Sequence, residues 1–342
     1  MVVKNEQKRL YDMIRDFFNV EIEGRRSAGT MRIYKLNMRR YITFLAQTRR
    51  ILPQNLTFVD FCAKSIVAWQ KSLLSEGTSP STINNYTVIV REFLRYAALR
   101  DPSLQAKYNE VISLRKLKEE EDLTIRYFSR DVLREILKQC DRSSTTGHRD
   151  YVLMVLMFDT ACRLQEIIDI KLSDIVFHDN SDVIYIKGKG GKKRIVGFTK
   201  ETEEILKDFI ARRHAHSPDT TPLFYVQDRK GNKRALTSSS VQKMIKSYAD
   251  KARKNCDFIP EHVSPHMFRH SRAMDLLANG VDFPLIGQIL GHTSLNTTLI
   301  YAKADMEMKK KAAEKAALTE IISCPEQDEK EDVENFFAYI GL

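Results

Sequence analysis

Apolar residues recur at helical spacing through the first third of the chain. Leu10, Met13, Ile14, Phe17 and Phe18 form one stripe. Tyr34, Met38, Tyr41, Ile42 and Leu45 form a second, opened by the capping run Ser27-Ala-Gly-Thr30, and Ile66, Trp69 and Leu73 mark a third. Gly77-Thr-Ser-Pro80-Ser81 then breaks the chain, and Ser81 or Thr82 is placed to start a fourth helix carrying Tyr86, Ile89, Phe93 and Tyr96. The spacing predicts a small all-helical domain over residues 1–112, with arginine and lysine between the apolar stripes. Over 113–126 the period disappears and charge takes over, as in Leu114-Arg-Lys-Leu-Lys-Glu-Glu-Glu-Asp122, which reads as an interdomain linker.

A second domain is expected over 127–317. Ser129 is positioned to cap a helix over Asp131–Cys140, and an apolar helix follows over Tyr151–Thr160. Two β-branched runs flank a glycine-rich turn between Val183 and Phe198, which predicts a hairpin. Helical spacing resumes over Glu201–His214, Ser239–Arg253, His266–Ala278, Phe283–Leu290 and Thr297–Ala317. The last stretch, 318–342, has an acidic linker from Glu326 to Glu334 and a short amphipathic helix over Val333–Ile340 with Phe336, Phe337 and Tyr339. The expected fold class is mainly α with a small antiparallel β-sheet: a helical domain followed by a mixed α/β domain.

Composition narrows the partner. A net charge of +10 over 342 residues favours a polyanion. No stretch approaches the ~20 apolar residues of a membrane span, and the first residues lack the apolar core of a signal peptide. The five cysteines at 62, 140, 162, 256 and 324 form no CxxC pair. They read as reduced thiols of a cytoplasmic protein, most of them small buried hydrophobes.

The chemistry sits in one ordered set: Arg163-Leu-Gln-Glu166, then Lys189, then His266-Met-Phe-Arg269, Gly291-His292 and Tyr301. Cleaving a phosphodiester with an internal nucleophile builds charge on the non-bridging oxygens. Without a metal that charge needs fixed cations, and a planar guanidinium that grips two oxygens and keeps its proton suits the task. Tyrosine, with an ordinary pKa near ~10, needs neighbours to share or remove its proton, and histidines titrate close to neutrality. Lys189, at the tip of the hairpin turn, can reach a minor groove and protonate a departing oxygen. His266 and Arg269, three apart, share one helix face. His292 and Tyr301, nine apart, would lie on opposite sides of one continuous helix. Gly291 can close one helix and Asn296 or Thr297 can cap the next.

Other motifs fail. His266 and His270 have the spacing of a zinc pair, but Met267 stands where the zinc-protease glutamate belongs. Gly188-Lys-Gly-Gly-Lys-Lys193 lacks the spacing and hydroxyl of a nucleotide loop. No metal or cofactor is expected.

At these residues the chain resembles the tyrosine recombinases of the phage-integrase and Xer type. The resemblance runs from about Tyr127 to Tyr301 through Thr160-Ala-Cys-Arg163-Leu-Gln-Glu166, Ile186-Lys-Gly-Lys189-Gly-Gly-Lys-Lys-Arg194, Ser264-Pro-His266-Met-Phe-Arg269-His270 and Leu290-Gly-His292 to Tyr301. Weaker patterns at Ser27–Tyr34 and Ser79–Tyr96 resemble the family's helical core-binding domain. The resemblance implies that Arg163 and Arg269 clamp the scissile phosphate and that Lys189 protonates the 5′ leaving oxygen. It further implies that His266 is the general acid/base, that His292 hydrogen-bonds the phosphate and that Tyr301 becomes a 3′-phosphotyrosine. Glu166 and His270 are implied supports. Ala161, where a glycine is usual, and Phe268, where a leucine is common, put only local packing in question.

The implied partner is double-stranded DNA bearing inverted repeats. It would be bound by a homotetramer that exchanges strands through a Holliday junction, while the free protein is a monomer or weak oligomer. Integration or excision of a mobile element is the leading role and chromosome-dimer resolution the alternative. A helix-turn-helix regulator, suggested by Leu277–Tyr301, leaves the arginines, Lys189 and Tyr301 unexplained. A type IB topoisomerase would share the chemistry without joining two sites.

Overall fold

The computed structural model describes residues 2–24, 26, 28–119, 125–177, 182–188, 193–291, 301, 306 and 310. The chain forms two compact units, residues 1–122 and 123–342.

The first unit is helical. Its helices are α1 (Val2–Asp16), continued by a π-turn over Phe17–Ile22, α2 (Ala28–Arg49), α3 (Ala63–Ser75), α4 (Pro80–Arg100) and α5 (Gln105–Ile112). The predicted stripes make one core, in which Phe17 meets Phe93 and Tyr96 edge-on while Tyr41 packs between Phe61 and Trp69. One start was misplaced. The cap of α4 is Ser79, whose hydroxyl accepts from Thr82 N, and Pro80 occupies the first turn. Proline has no N–H to leave orphaned there and its φ is already helical, so the helix begins ahead of Ser81 and Thr82.

The charged stretch after α5 carries neither helix nor strand over its described residues 115–119, but it is held down. The buried Asn84 side chain clasps the backbone of Leu117, accepting from its N–H at 2.9 Å and donating to its carbonyl at 3.0 Å. Arg91 donates to the carbonyl of Leu114 at 2.9 Å. Residues 114–117 thus travel with α4 instead of acting as free linker.

The second unit opens on α6 (Arg130–Lys138), capped by Ser129 as predicted, and α7 (Thr145–Thr160). Helix α7 begins six residues before the predicted Tyr151, because Ser144 caps it through Gly147 N at 3.0 Å. The short α8 (Leu164–Ile168) follows. Strands β1 (Ile175–Val176), β2 (Val183–Lys187) and β3 (Lys193–Gly197) make an antiparallel sheet in that order. Its register pairs Ile184 with Val196 and Ile186 with Arg194. Alternation turns Ile184, Ile186 and Val196 into the core.

Next come α9 (Lys200–His214), a second hairpin of β4 (Tyr225–Gln227) and β5 (Lys233–Ala235), then α10 (Ser238–Ala252), α11 (Pro265–Ala278) and α12 (Phe283–Leu290). The second hairpin was not foreseen, since each strand has three residues and too few apolar positions to show a period. Of the predicted helix over Thr297–Ala317, positions 301, 306 and 310 are helical and the remainder lies outside the described residues, as does the 318–342 tail.

The four described cysteines, 62, 140, 162 and 256, are free thiols. Among the described residues no helix is long and apolar enough to cross a membrane.

Candidate active site

The site is assembled where the end of α7, the start of α8, strand β3 and helix α11 converge. Helix α7 stops at Ala161, which takes a left-handed conformation (φ 51°) while fully buried. A non-glycine residue pays roughly 1–2 kcal/mol for this, which is the physical reason a glycine suits the position. Left-handed geometry reverses the chain sharply, so Arg163 emerges as the N-cap of α8, and Ala161 presents its carbonyl to Arg269 Nη1 at 2.8 Å. Helix α11 is pinned to α7 by Asp159, whose carboxylate accepts from Arg272 at 3.0 Å and from the backbone of Thr199 at 2.7 Å. The Ser271 hydroxyl accepts from Phe128 N at 2.7 Å.

Among the described residues Glu166 is the only carboxylate bonded to Arg163 or Arg194, and it is buried. It accepts from the backbone of Arg163 at 2.8 Å, from Arg163 Nη1 at 3.1 Å, and from both terminal nitrogens of Arg194 at 2.8 and 2.9 Å. Burial acts to raise its pKa, but the Arg194 fork and the Arg163 bonds outweigh it, so the net shift is downward and the group is ionised.

Arg269 has no such partner. It is 5% exposed, its Nη2 has no hydrogen-bond partner among the described residues, and its pKa falls to about 10, first through burial and then through repulsion by Arg163. Two guanidinium groups are therefore held together at a cost, which is the electrostatic signature of a site built for an anion.

The histidines feel the same field. At the start of α11, His266 is lowered by desolvation and then by Arg269 and Arg163. One turn on, His270 is lowered to about 4, by burial first, then by His266 and Arg269. Both are neutral at pH 7.

Tyr301 is 1% exposed, set among Ala161, Ala273, Met274, Ile286 and Leu290. Its hydroxyl is hydrogen-bonded to His270 Nδ1 at 2.9 Å. The resemblance implies His266 as the general acid/base near the nucleophile and His270 as a support; in the structure the tyrosine hydroxyl is hydrogen-bonded to His270. One turn of helix separates the two, and the position of Tyr301 was not readable from the chain. Burial raises the phenol's pKa and Arg269 works against that rise, so at rest the group is protonated.

Thus Arg163, Glu166, His266, Arg269, His270 and Tyr301 are brought to one place. Lys189 and His292 lie outside the described residues, each next to a described residue. Strands β2 and β3 end at Lys187 and begin at Lys193, and Gly291 closes α12 in the left-handed region (φ 64°). Arg194 was missed. Its signal was present: strand alternation puts it on the same inward face as Val196, and a charge on a buried face calls for a partner. Among the described residues no group of three or more His, Cys, Asp or Glu side chains is arranged to hold a metal.

A helical unit followed by a mixed unit with paired arginines and a sheltered tyrosine defines a class: enzymes that transfer a phosphodiester to a tyrosine hydroxyl. Residues 126–308, more than half the chain, match the model of the phage integrase family. The chain is 30% identical over 301 residues to the tyrosine recombinase XerA of Thermococcus onnurineus, covering 88% of this chain and 93% of that one. It is 27% identical over 294 residues to the tyrosine recombinase XerD of Listeria monocytogenes, covering 85% and 93%. This protein belongs to the phage integrase family and is a tyrosine recombinase, an enzyme of site-specific DNA breakage and rejoining.

Solved structures share the fold. A XerH site-specific recombinase bound to a palindromic difH substrate aligns with a TM-score of 0.64 at 24% identity, covering 83% of this chain and 79% of that one. A lambda integrase dimer bound to a COC′ core site aligns at 0.62 and 18%, covering 85% and 94%.

Proposed function

We propose that this recombinase cuts double-stranded DNA at sites with inverted repeats, using Tyr301 as the nucleophile. The observation that carries the reading is the pair of guanidinium groups at Arg163 and Arg269, mutually repelling and, at Arg269, buried with no bonded carboxylate among the described residues. A phosphate between them removes that penalty.

In the proposed reaction both arginines hold the non-bridging oxygens and His292 adds a hydrogen bond. Tyr301 attacks phosphorus once it leaves its apolar surroundings, and its proton passes to His266, which is neutral at pH 7 and able to accept it. The bond to the 5′ oxygen breaks, Lys189 supplies that oxygen's proton, and a 3′-phosphotyrosine remains. Glu166 keeps Arg163 in place, and His270 holds the resting phenol. A 5′ hydroxyl from a second duplex then attacks the phosphotyrosine, reseals the strand and restores the tyrosine. One phosphodiester is exchanged for another, so no external energy source is required.

The working assembly is a homotetramer on two sites, passing through a Holliday junction, and the free chain is a monomer or weak oligomer. Integration and excision of a mobile element is the proposed role. The Xer relatives at 30% and 27% identity favour a second one, chromosome-dimer resolution in the cytoplasm.

The test uses a pool of nicked duplexes cut from host DNA, incubated with the full chain and then denatured. Wild type should retain a covalent DNA band and Tyr301→Phe should not. A band that survives the substitution, or DNA binding with no band from wild type, overturns the reading. Sequencing the trapped DNA separates an element boundary from a chromosomal dimer site.

A further inference from the structure

Arg194 belongs to no role assigned above, yet it touches three parts of the site. It sits on the inward face of β3, where it pairs with Ile186 of β2. Its two terminal nitrogens grip both oxygens of Glu166 at 2.8 and 2.9 Å, and Nη2 also lies 3.6 Å from Cys162 Sγ. Its Nε is buried with no hydrogen-bond partner among the described residues. The reason lies on its other side. A Cβ built on Gly291 would stand 2.9 Å from Arg194 Nε and 3.0 Å from its Cζ, so the guanidinium lies directly against the glycine backbone.

We infer that Arg194 is a positioning residue that sets Arg163 through Glu166 and holds Gly291, the residue before His292, by direct packing, so that the phosphate clamp and the end of α12 share one anchor. Three properties of the side chain fit this use. The fork satisfies both Glu166 oxygens, so that carboxylate neutralises Arg194 and claims only Nη1 of Arg163, leaving the rest of that guanidinium for the phosphate. The plane is thin enough to lie on Gly291, where φ 64° and the missing Cβ both call for glycine. The strand fixes the guanidinium to the backbone of β3, paired with β2 at Ile186. A lysine would keep the charge but give neither the two-point grip nor the flat face. Misplacing an anchored group by about 1 Å can cost on the order of 100-fold in rate.

This inference rests on the proposed roles of Arg163 and His292, and its test is built to fail separately from them. Arg194→Lys retains a cation beside the buried Glu166 and is the variant chosen to fold. On the nicked duplex identified by the covalent trap, single-turnover adduct formation at saturating protein should slow by roughly 10- to 100-fold, with the binding midpoint in a gel shift within about twofold of wild type. The second arm is a double-mutant cycle with Gly291→Ala. The methyl group clashes with the arginine, so the two changes should be markedly non-additive, the double variant being faster than the product of the single effects predicts.

Arg194→Lys cleaving at the wild-type rate, or losing cleavage only in proportion to binding, overturns the inference. So does a strictly multiplicative cycle. In each case wild-type adduct formation and its loss in Tyr301→Phe still stand on their own. Should Arg194→Lys prove unfolded by circular dichroism, Glu166→Gln with Arg194→Gln, which removes both buried charges together, replaces it with the same expected slowing and the same refuting result.

Discussion

Replacing Arg269 by methionine should make the free protein more stable while destroying its activity. Holding the guanidinium at about 10, well below its ordinary value, costs the charged form about 3 kcal/mol. The sign follows from linkage. The folded value lies below the unfolded one, so the penalty is present in full at neutral pH and is relieved only as pH rises above about 10. Methionine has similar length and no charge to desolvate. Against the relief stands the bond from Nη1 to the carbonyl of Ala161 at 2.8 Å, a charged hydrogen bond contributing roughly 1.5–3 kcal/mol. The net gain is about 1 kcal/mol, or a rise of roughly 2–4 °C in Tm for a unit of this size.

The assay is calorimetry of the full chain, first alone and then with saturating site DNA. Without DNA, Arg269→Met should melt higher than wild type. With DNA the order should reverse, because only wild type recovers its desolvation cost from a phosphate. Cleavage should fall by roughly 100- to 1000-fold, as for loss of one preorganised donor at a developing charge. A variant that melts below wild type in the absence of DNA would refute the claim that this arginine is held at a cost for the sake of an anion.

Other perturbations read different parts of the molecule. His270, lowered to about 4, stays neutral in the folded state while the unfolded chain protonates below about 6.5. Stability is therefore lost as pH falls from 6.5 towards 4, and His270→Gln should flatten that slope by up to about 2 kcal/mol in urea titrations; an unchanged slope sinks the assignment. At Gly147 an added Cβ would meet the Asp141 carbonyl at 2.2 Å, so Gly147→Ala should lower stability by about 1–3 kcal/mol, measured as a shifted denaturation midpoint with unchanged slope. From the apolar Phe336, Phe337 and Tyr339 beyond an acidic stretch, removing residues 326–342 should weaken pairing of two sites in a synapsis assay and leave single-site binding intact; unchanged synapsis would refute a role for this segment between copies.

By itself the sequence determined the helical character of the first unit, the β2–β3 hairpin, most helix boundaries in the second unit and the identity of the catalytic class. These are consequences of local rules: the 3.6 and 2.0 periods of buried positions, capping by Ser129 and closure by Gly291, and the rarity of two arginines, two histidines and a tyrosine in one order. The family match agrees with that class. The α4 cap lies at Ser79, ahead of the expected Ser81 or Thr82, because Pro80 takes the first turn.

Tertiary structure alone decided how those groups meet. Which histidine receives Tyr301, the grip of Arg194 on Glu166, and the place of Arg194 against Gly291 depend on segments far apart in sequence. So does the clasp of Asn84 on Leu117, which binds part of an apparent linker to α4. A hydrogen bond between residues 31 or 108 positions apart leaves no periodic trace in the chain. Electrostatics sharpen the difference, because a pKa responds to burial and to distances between charges, and both exist only once the core has closed.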